Sequence, residues 1–275
     1  MTVAPALAVD THAHVFHPGL PMVPGRRYTP DDTASLAAYL ALLDAQALTH
    51  GVLVQPSFLG TDNRFLLDAL AQAPARLRGV AVIDASTPAT ALPALHAAGI
   101  VGIRLNLIGL PAPDFTAGHW PELLQAVRQL DWHVEVHAPS LALAAILAPL
   151  LDHGCRVVVD HFGRPAPAQG LADPGLRHLL TLADTGQVWV KLSAPYRLWP
   201  SAPAALPCAQ ALLSAFGEQR LVWGSDWPHT EHRQQADHAS SRAWLDLWIP
   251  DPEQRAVILG ETARTLFQFP GDNTP

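Results

Sequence analysis

At 275 residues, 49 % of them hydrophobic, the chain can bury a large core, and its length suits one α/β barrel spanning residues 1–275. A formal charge of −7 with no Lys/Arg run argues against nucleic acid as a partner. Cys155 and Cys208 are too few for a disulfide framework or a thiolate metal cage, and their apolar neighbours mark them as buried thiols.

The opening residues lack the basic region of a signal peptide, and the most apolar run, residues 138–151, is too short to span a bilayer and contains Pro139 and Pro149. A soluble cytoplasmic protein with no membrane partner is expected. Of the basic residues only Lys191 is a lysine; the rest are arginines, whose planar fork suits carboxylates.

In chain order, residues 8–11 read as a first strand. A Pro-rich loop with Arg26-Arg27-Tyr28 leads to a helix start at residues 31–33, before Leu36, Leu40 and Leu43 at helical spacing. Residues 51–55 form a second strand followed by Ser57, and residues 63–72 a helix. Strand three is expected over 79–83, a helix over 90–98, and strand four over 100–105, carrying Arg104 and followed by Asn106. A helix over 121–130 has proline in its first turn. Strand five runs over 133–137, a helix over 141–151, and strand six over 156–160. Residues 175–185 are helical, 188–192 strand seven, 204–216 helical and 221–224 strand eight; helices over 236–248 and 252–267 close the chain.

Eight strands alternating with helices, most of them continuously apolar, give the pattern of a parallel sheet closed into a barrel. Polar residues gather where strands end: His12 and His14, Arg104, His137, His161, Tyr196 with Arg197, and Asp226 with His229. In a barrel these positions share the catalytic face. A single histidine after a strand is ordinarily a hydrogen-bonded structural residue; it is the coincidence of several that points to a site.

His12 and His14, two apart, project from the same side of a strand. With His137 and Asp226 they supply three imidazoles and a carboxylate, enough for one divalent ion such as Zn²⁺, with Asp226 or His161 taking a proton from bound water. Without metal, Asp226 would itself be the general base. His133 is expected deeper in the barrel, and Asp160 and Asp10 are expected to point away from its centre in structural roles. Arg104, Arg164 and Arg197 follow or end strands four, six and seven and suit an anionic substrate, with Arg27 on a loop able to cover the mouth.

Four motifs, His12-Ala-His14, Asp160-His-x-Gly-Arg-Pro165, Lys191-Leu-Ser-x-x-Tyr-Arg197 and Gly224-Ser-Asp-Trp-Pro-His229, resemble the amidohydrolase-related (amidohydrolase 2) family, in particular its 2-pyrone-4,6-dicarboxylate lactonase branch. That branch also holds sulfomuconolactone and sugar-lactone hydrolases. The resemblance covers almost the whole chain and implies a distorted (β/α)₈ barrel of amidohydrolase type that hydrolyses a small carboxylated or sulfonated lactone. It further implies that Asp226 activates water and that His12, His14 and His161 polarise the carbonyl or hold a metal. Arg104, Arg164 and Arg197 would bind anionic groups, and Ser57 would add a hydrogen bond; Tyr196, His229 and Arg27 belong to the same substrate-binding set.

Two departures stand out. Binuclear relatives carry a carboxylated lysine on strand four, where this chain has Arg104. Pyrone-dicarboxylate lactonases work without metal and carry tyrosine at the end of strand five, where this chain has His137, as metal-using relatives do. A metal-dependent non-oxidative decarboxylase is the alternative activity. Trp199 and Trp244 fit an interface or a core, so the choice between monomer and homo-oligomer stays open.

Overall fold

The computed structural model describes residues 7–271; the segment read for a leader, residues 1–6, lies outside them. Eight parallel strands follow one another round a single sheet: β1 Val9–Ala13, β2 His50–Val54, β3 Leu77–Ala81, β4 Ile100–Asn106, β5 His133–His137, β6 Arg156–Val159, β7 Val188–Leu192 and β8 Leu221–Trp223. The ends meet through a parallel bridge from Ala13 to Trp227, His14 N donating to Trp227 O at 2.8 Å and Thr11 Oγ1 donating to Trp223 O at 2.8 Å. This is a nearly closed (β/α)₈ barrel, as the alternation of elements implies.

Helices α1 Leu36–Ala45, α2 Arg64–Gln72, α3 Leu92–Ala97, α4 Trp120–Gln129, α5 Leu143–Asp152, α6 Pro174–Thr181, α7 Leu206–Phe216 and α8 His238–Trp248 surround the sheet. Among the described residues no helix is long and apolar enough to cross a membrane. Two apolar layers hold the barrel. Ile103, Val134, Val136, Val157 and Val159 belong to the large cluster shared with the helices. Val52, Val80, Val158 and Val222 form a second cluster with Leu266, Phe267 and Phe269. Because strand side chains alternate, the second cluster is the inner face, and the C-terminal aromatics plug one end of it.

Three boundaries differ from expectation for identifiable reasons. The first helix begins at Leu36, not near Asp31, because Ala34 exchanges backbone hydrogen bonds with Phe16 (2.9 and 3.0 Å), and Ser35 then caps the helix by accepting from Ala38 N. Strand β3 ends at Ala81 because the Asn63 side chain takes both backbone groups of Val82, at 2.8 and 3.0 Å. The last helix is broken into α9 Pro252–Val257 and α10 Ala263–Leu266 by a π-turn over Ile258–Thr262; there Gly260 passes so near Leu7 that a Cβ would lie 2.9 Å from its carbonyl oxygen. Trp199 is buried, edge-on to Phe162, and Trp244 is half-buried, packed on Tyr196 and Trp248.

Candidate active site

The strands deliver a ring of polar side chains to one end of the barrel, around a cavity of about 230 Å³, small enough to restrict the ligand to less than drug size. His14, His137, His161, Asp226, Arg27, Arg104, Arg164, Arg197 and Ser57 line it, together with Tyr28, Asn106, Thr230, Glu231 and His232. His12 lies just beneath, fully buried. Four residues at strand ends, His161, Arg164, Asp226 and His229, have φ between 49° and 59°. Non-glycine residues adopt that left-handed conformation at an energetic cost, which concentrates at functional sites.

Asp226 is the centre. Its Oδ2 accepts from Tyr196 OH at 2.7 Å and from Arg197 Nε at 2.8 Å. Its Oδ1 faces His12 Nε2 at 3.7 Å and His14 Nε2 at 3.8 Å. Burial pushes the carboxyl pKa up, but the Arg197 guanidinium and neighbouring imidazoles outweigh it and hold it well below the ordinary value. Tyr196 OH also meets His229 Nδ1 at 3.0 Å. Tyr196 and His229 therefore stand behind Asp226 and do not line the cavity.

His14 Nδ1 lies 2.7 Å from Val54 O. A carbonyl only accepts, so Nδ1 carries the proton and the neutral ring presents a bare Nε2 to Asp226. Burial, His12 and Arg104 pull the His14 pKa down to about 3. His161 Nδ1 meets Ser193 Oγ at 2.7 Å, and its ring lies 5.1 Å from that of His12. Burial holds its pKa well below the ordinary value.

The arginines divide. Arg104 donates to Asp160 Oδ2 through Nε and Nη2 at 3.3 and 3.1 Å, so its fork is largely taken. Arg164 and Arg197 are half-buried at the wall, and Arg27 is exposed at the mouth, its Nη2 donating to Asn106 Oδ1 at 3.2 Å. Ser57 is exposed at the same rim.

Besides Tyr196 and His229, expected to bind substrate but set behind the cavity wall, two expectations need correction. Asp160 does not point away from the barrel centre: its Oδ1 lies 3.5 Å from His12 Nδ1 and 3.2 Å from Lys191 Nζ, drawn inward by the cations it neutralises. His137 does not join the candidate metal ligands. Its Nδ1 faces Arg104 Nη2 and its Nε2 faces Arg164 Nη1, each at 3.3 Å, and two guanidiniums repel any further cation. The ligand atoms that do converge, within 4.8 Å of one another, belong to His12, His14 and Asp226, or to His12, Asp160 and His161. Asp10 does face outward, accepting from Ser225 N at 2.8 Å and Ser225 Oγ at 2.6 Å. His133 lies low in the barrel, its ring 4.9 Å from that of Phe267.

Sequence reasoning missed Glu135 as a site residue and gave Lys191 no role of its own. Lys191 Nζ reaches Glu135 Oε2 at 2.6 Å and His12 Nδ1 at 2.9 Å, all of them buried. Strand parity was the available signal: Glu135 lies between His133 and His137 on one face, and a lone lysine inside an apolar strand demands a buried partner.

Fold and site together define a (β/α)₈-barrel enzyme with its polar constellation at the strand ends. The amidohydrolase family model matches residues 9–269, and the chain belongs to that family, the amidohydrolase 2 group. It is 34 % identical over 261 residues to the 2-pyrone-4,6-dicarboxylate hydrolase of Comamonas testosteroni, covering 90 % of this chain and 84 % of that one. It is 30 % identical over 279 residues to the 4-sulfomuconolactone hydrolase of Hydrogenophaga intermedia, covering 96 % and 90 %. A solved structure from Acinetobacter baumannii, provisionally assigned as a 2-pyrone-4,6-dicarboxylic acid hydrolase and holding citric acid, superposes with a TM-score of 0.91 at 39 % identity over 95 % of this chain and 99 % of that one.

Proposed function

We propose that the chain hydrolyses a small lactone carrying carboxylate groups, with Asp226 as general base and no metal. The observation that carries the reading is the division of Asp226: two donors occupy Oδ2, while Oδ1 opens toward His12 and His14 beneath an arginine-lined cavity. A water placed there would give one hydrogen bond to Asp226 Oδ1 and another to the bare His14 Nε2, turning a lone pair toward the substrate carbonyl carbon. As the new C–O bond forms, Asp226 takes the water proton, and His12 and His161 stabilise the charge growing on the carbonyl oxygen. The ring C–O bond then breaks, and Asp226 returns the proton to the departing ring oxygen. The products are a hydroxyl and a new carboxylic acid, which releases the second water proton to solvent and leaves as the carboxylate.

The donor set does not suit a divalent ion. Lys191 sits against His12 Nδ1 and leaves the proton on Nε2, the atom that would have to ligate. Asp226 is already neutralised by Arg197, and Arg27, Arg104, Arg164 and Arg197 make the cavity wall cationic. The same argument disfavours a decarboxylase that needs metal outright. Arg27 and Arg164 offer forks for two carboxylates, Arg197 being engaged by Asp226 and Thr230 O, which favours a pyrone dicarboxylate; the dicarboxylate hydrolase among the relatives and the citric acid in the related structure support this choice.

The test is ring opening of 2-pyrone-4,6-dicarboxylate, its monocarboxylate and 4-sulfomuconolactone, each with and without a strong chelator. Fastest turnover of the dicarboxylate, undiminished by chelation, is expected. No ring opening of any of them overturns the lactonase reading, and loss of activity on chelation overturns the metal-free one.

A further inference from the structure

We propose that Lys191 is a positioning residue that holds His12 in the tautomer with its proton on Nε2, and that removing Lys191 converts His12, His14 and Asp226 into a divalent-metal site. The first half stands on geometry alone; the second rests on the metal-free reading above.

Lys191 is the only lysine of the chain, and its ammonium is fully buried inside the barrel. Its three N–H groups have three facing acceptors: Glu135 Oε2 at 2.6 Å, His12 Nδ1 at 2.9 Å and Asp160 Oδ1 at 3.2 Å. An ammonium has donors only, so a ring nitrogen 2.9 Å from it must offer a lone pair. The competing arrangement has His12 Nδ1–H donating to Glu135 Oε1 at 3.3 Å or Asp160 Oδ1 at 3.5 Å. Both contacts exceed the usual N–H···O range of about 2.7–3.2 Å, and that arrangement would set two donors head to head at 2.9 Å. The lysine contact prevails, and the proton of the neutral ring goes to Nε2.

His12 Nε2 is buried with no hydrogen-bond partner among the described residues, and it points at the space beside Asp226 Oδ1. His14, whose Nδ1 donates to Val54 O, has the opposite tautomer. Two histidines with rings 4.9 Å apart thus present one donor and one acceptor to the same space. That is the pair needed to hold a carbonyl oxygen and a water side by side, and it is the wrong pair for a metal, which needs lone pairs from both.

Without the ammonium, His12 Nδ1–H can donate to Glu135 Oε1 and free the Nε2 lone pair. Three lone-pair donors, His12 Nε2, His14 Nε2 and Asp226 Oδ1, then face one another, with a carboxylate behind one imidazole as in many zinc sites.

The full-length protein labelled with ¹⁵N-histidine is examined by long-range ¹⁵N–¹H correlation NMR, the His12 signals being assigned by their loss in His12→Asn. A neutral His12 ring protonated at Nε2 is expected; one protonated at Nδ1 overturns the proposal independently of any substrate. Zn²⁺ alone is then titrated calorimetrically into the wild-type protein and Lys191→Met. The variant is expected to bind one ion per chain about 10- to 100-fold more tightly than the wild type, with the gain lost in Lys191→Met/His12→Asn. Equal affinities, or a gain that survives the second substitution, overturn it. Because Lys191→Met strands two buried carboxylates, the same titration is made with Lys191→Met/Glu135→Gln, in which charge is removed from both sides and the amide oxygen still accepts from His12.

Discussion

The backbone amide of Asp226 donates to the carbonyl of His12 at 2.8 Å, so Asp226 and the histidine it faces are joined through the main chain across the seam where the barrel closes. The bridge from Ala13 to Trp227 and the two bonds from Ser225 to Asp10 reinforce the same seam. Reacting groups held by backbone rather than by long side chains keep their separation, and small displacements of such groups lower rates steeply.

Gly224→Ala tests the seam. A Cβ at residue 224 would lie 2.5 Å from His12 Cβ and 2.9 Å from His12 N, contacts that only backbone movement relieves. Overpacking of this kind costs about 1–3 kcal/mol, and the displaced strand would carry His12 away from Asp226. A lower urea midpoint together with reduced kcat is expected. A destabilised variant with full kcat would mean that the His12–Asp226 spacing is not critical.

Asp226→Asn retains an oxygen for Tyr196 and Arg197 but removes the proton acceptor. A fall in kcat of about 10²–10⁴ is expected from loss of a general base, with the fold intact by circular dichroism. Tyr196→Phe removes one of two donors to Oδ2 and should give a much smaller loss, since Arg197 remains. Similar losses in the two variants would place the chemistry on Tyr196 rather than Asp226.

How far this site could be read from sequence depends on which way each side chain turns. His12, His14, His161 and Asp226 were legible because apolar strands end in them, and strand ends in a parallel barrel share one face. Asp160 was misread: it ends a strand like the others, but Lys191 and Arg104 arrive from other strands and draw it inward, a contact no local pattern records. His137 was legible as a strand-end residue, yet its partners, Arg104 and Arg164, come from β4 and the loop after β6. Helix boundaries failed where a tertiary bond intervened, as at Ala34 with Phe16.

Arg164 and Arg27 should separate by burial. Arg164 is half-buried in the wall, whereas Arg27 is exposed at the mouth. Loss of a charge-assisted contact in a sheltered site costs about 1.5–3 kcal/mol, so Arg164→Gln should raise KM for a dicarboxylate by roughly 10-fold or more, with the smaller change in kcat. Arg27→Gln should raise KM less, and high salt should erase much of its effect. Identical KM values for Arg164→Gln and wild type would remove Arg164 from the carboxylate site.

The buried histidines predict how stability responds to acid. Burial takes His14 down to about 3 and His133 and His229 down to about 4, and it lowers His137 and His161 in the same sense. In the unfolded chain each titrates near about 6.5. Below that pH the unfolded state takes up protons that the folded state refuses, so stability falls as pH falls, down to the folded pKa values. Each of His14, His133 and His229 can contribute up to about 1.4 kcal/mol per pH unit across its window. His12 stands outside this balance: Asp160 and Glu135 favour a further proton on its ring, whereas burial and the Lys191 ammonium 2.9 Å from Nδ1 oppose it. Urea midpoints measured from pH 7 to pH 5 should decline steadily, well before the carboxylates titrate. A midpoint constant across that range would mean that the cavity histidines ionise near their ordinary pKa, and the bare His14 Nε2 invoked for catalysis would then be protonated over the acidic half of the range.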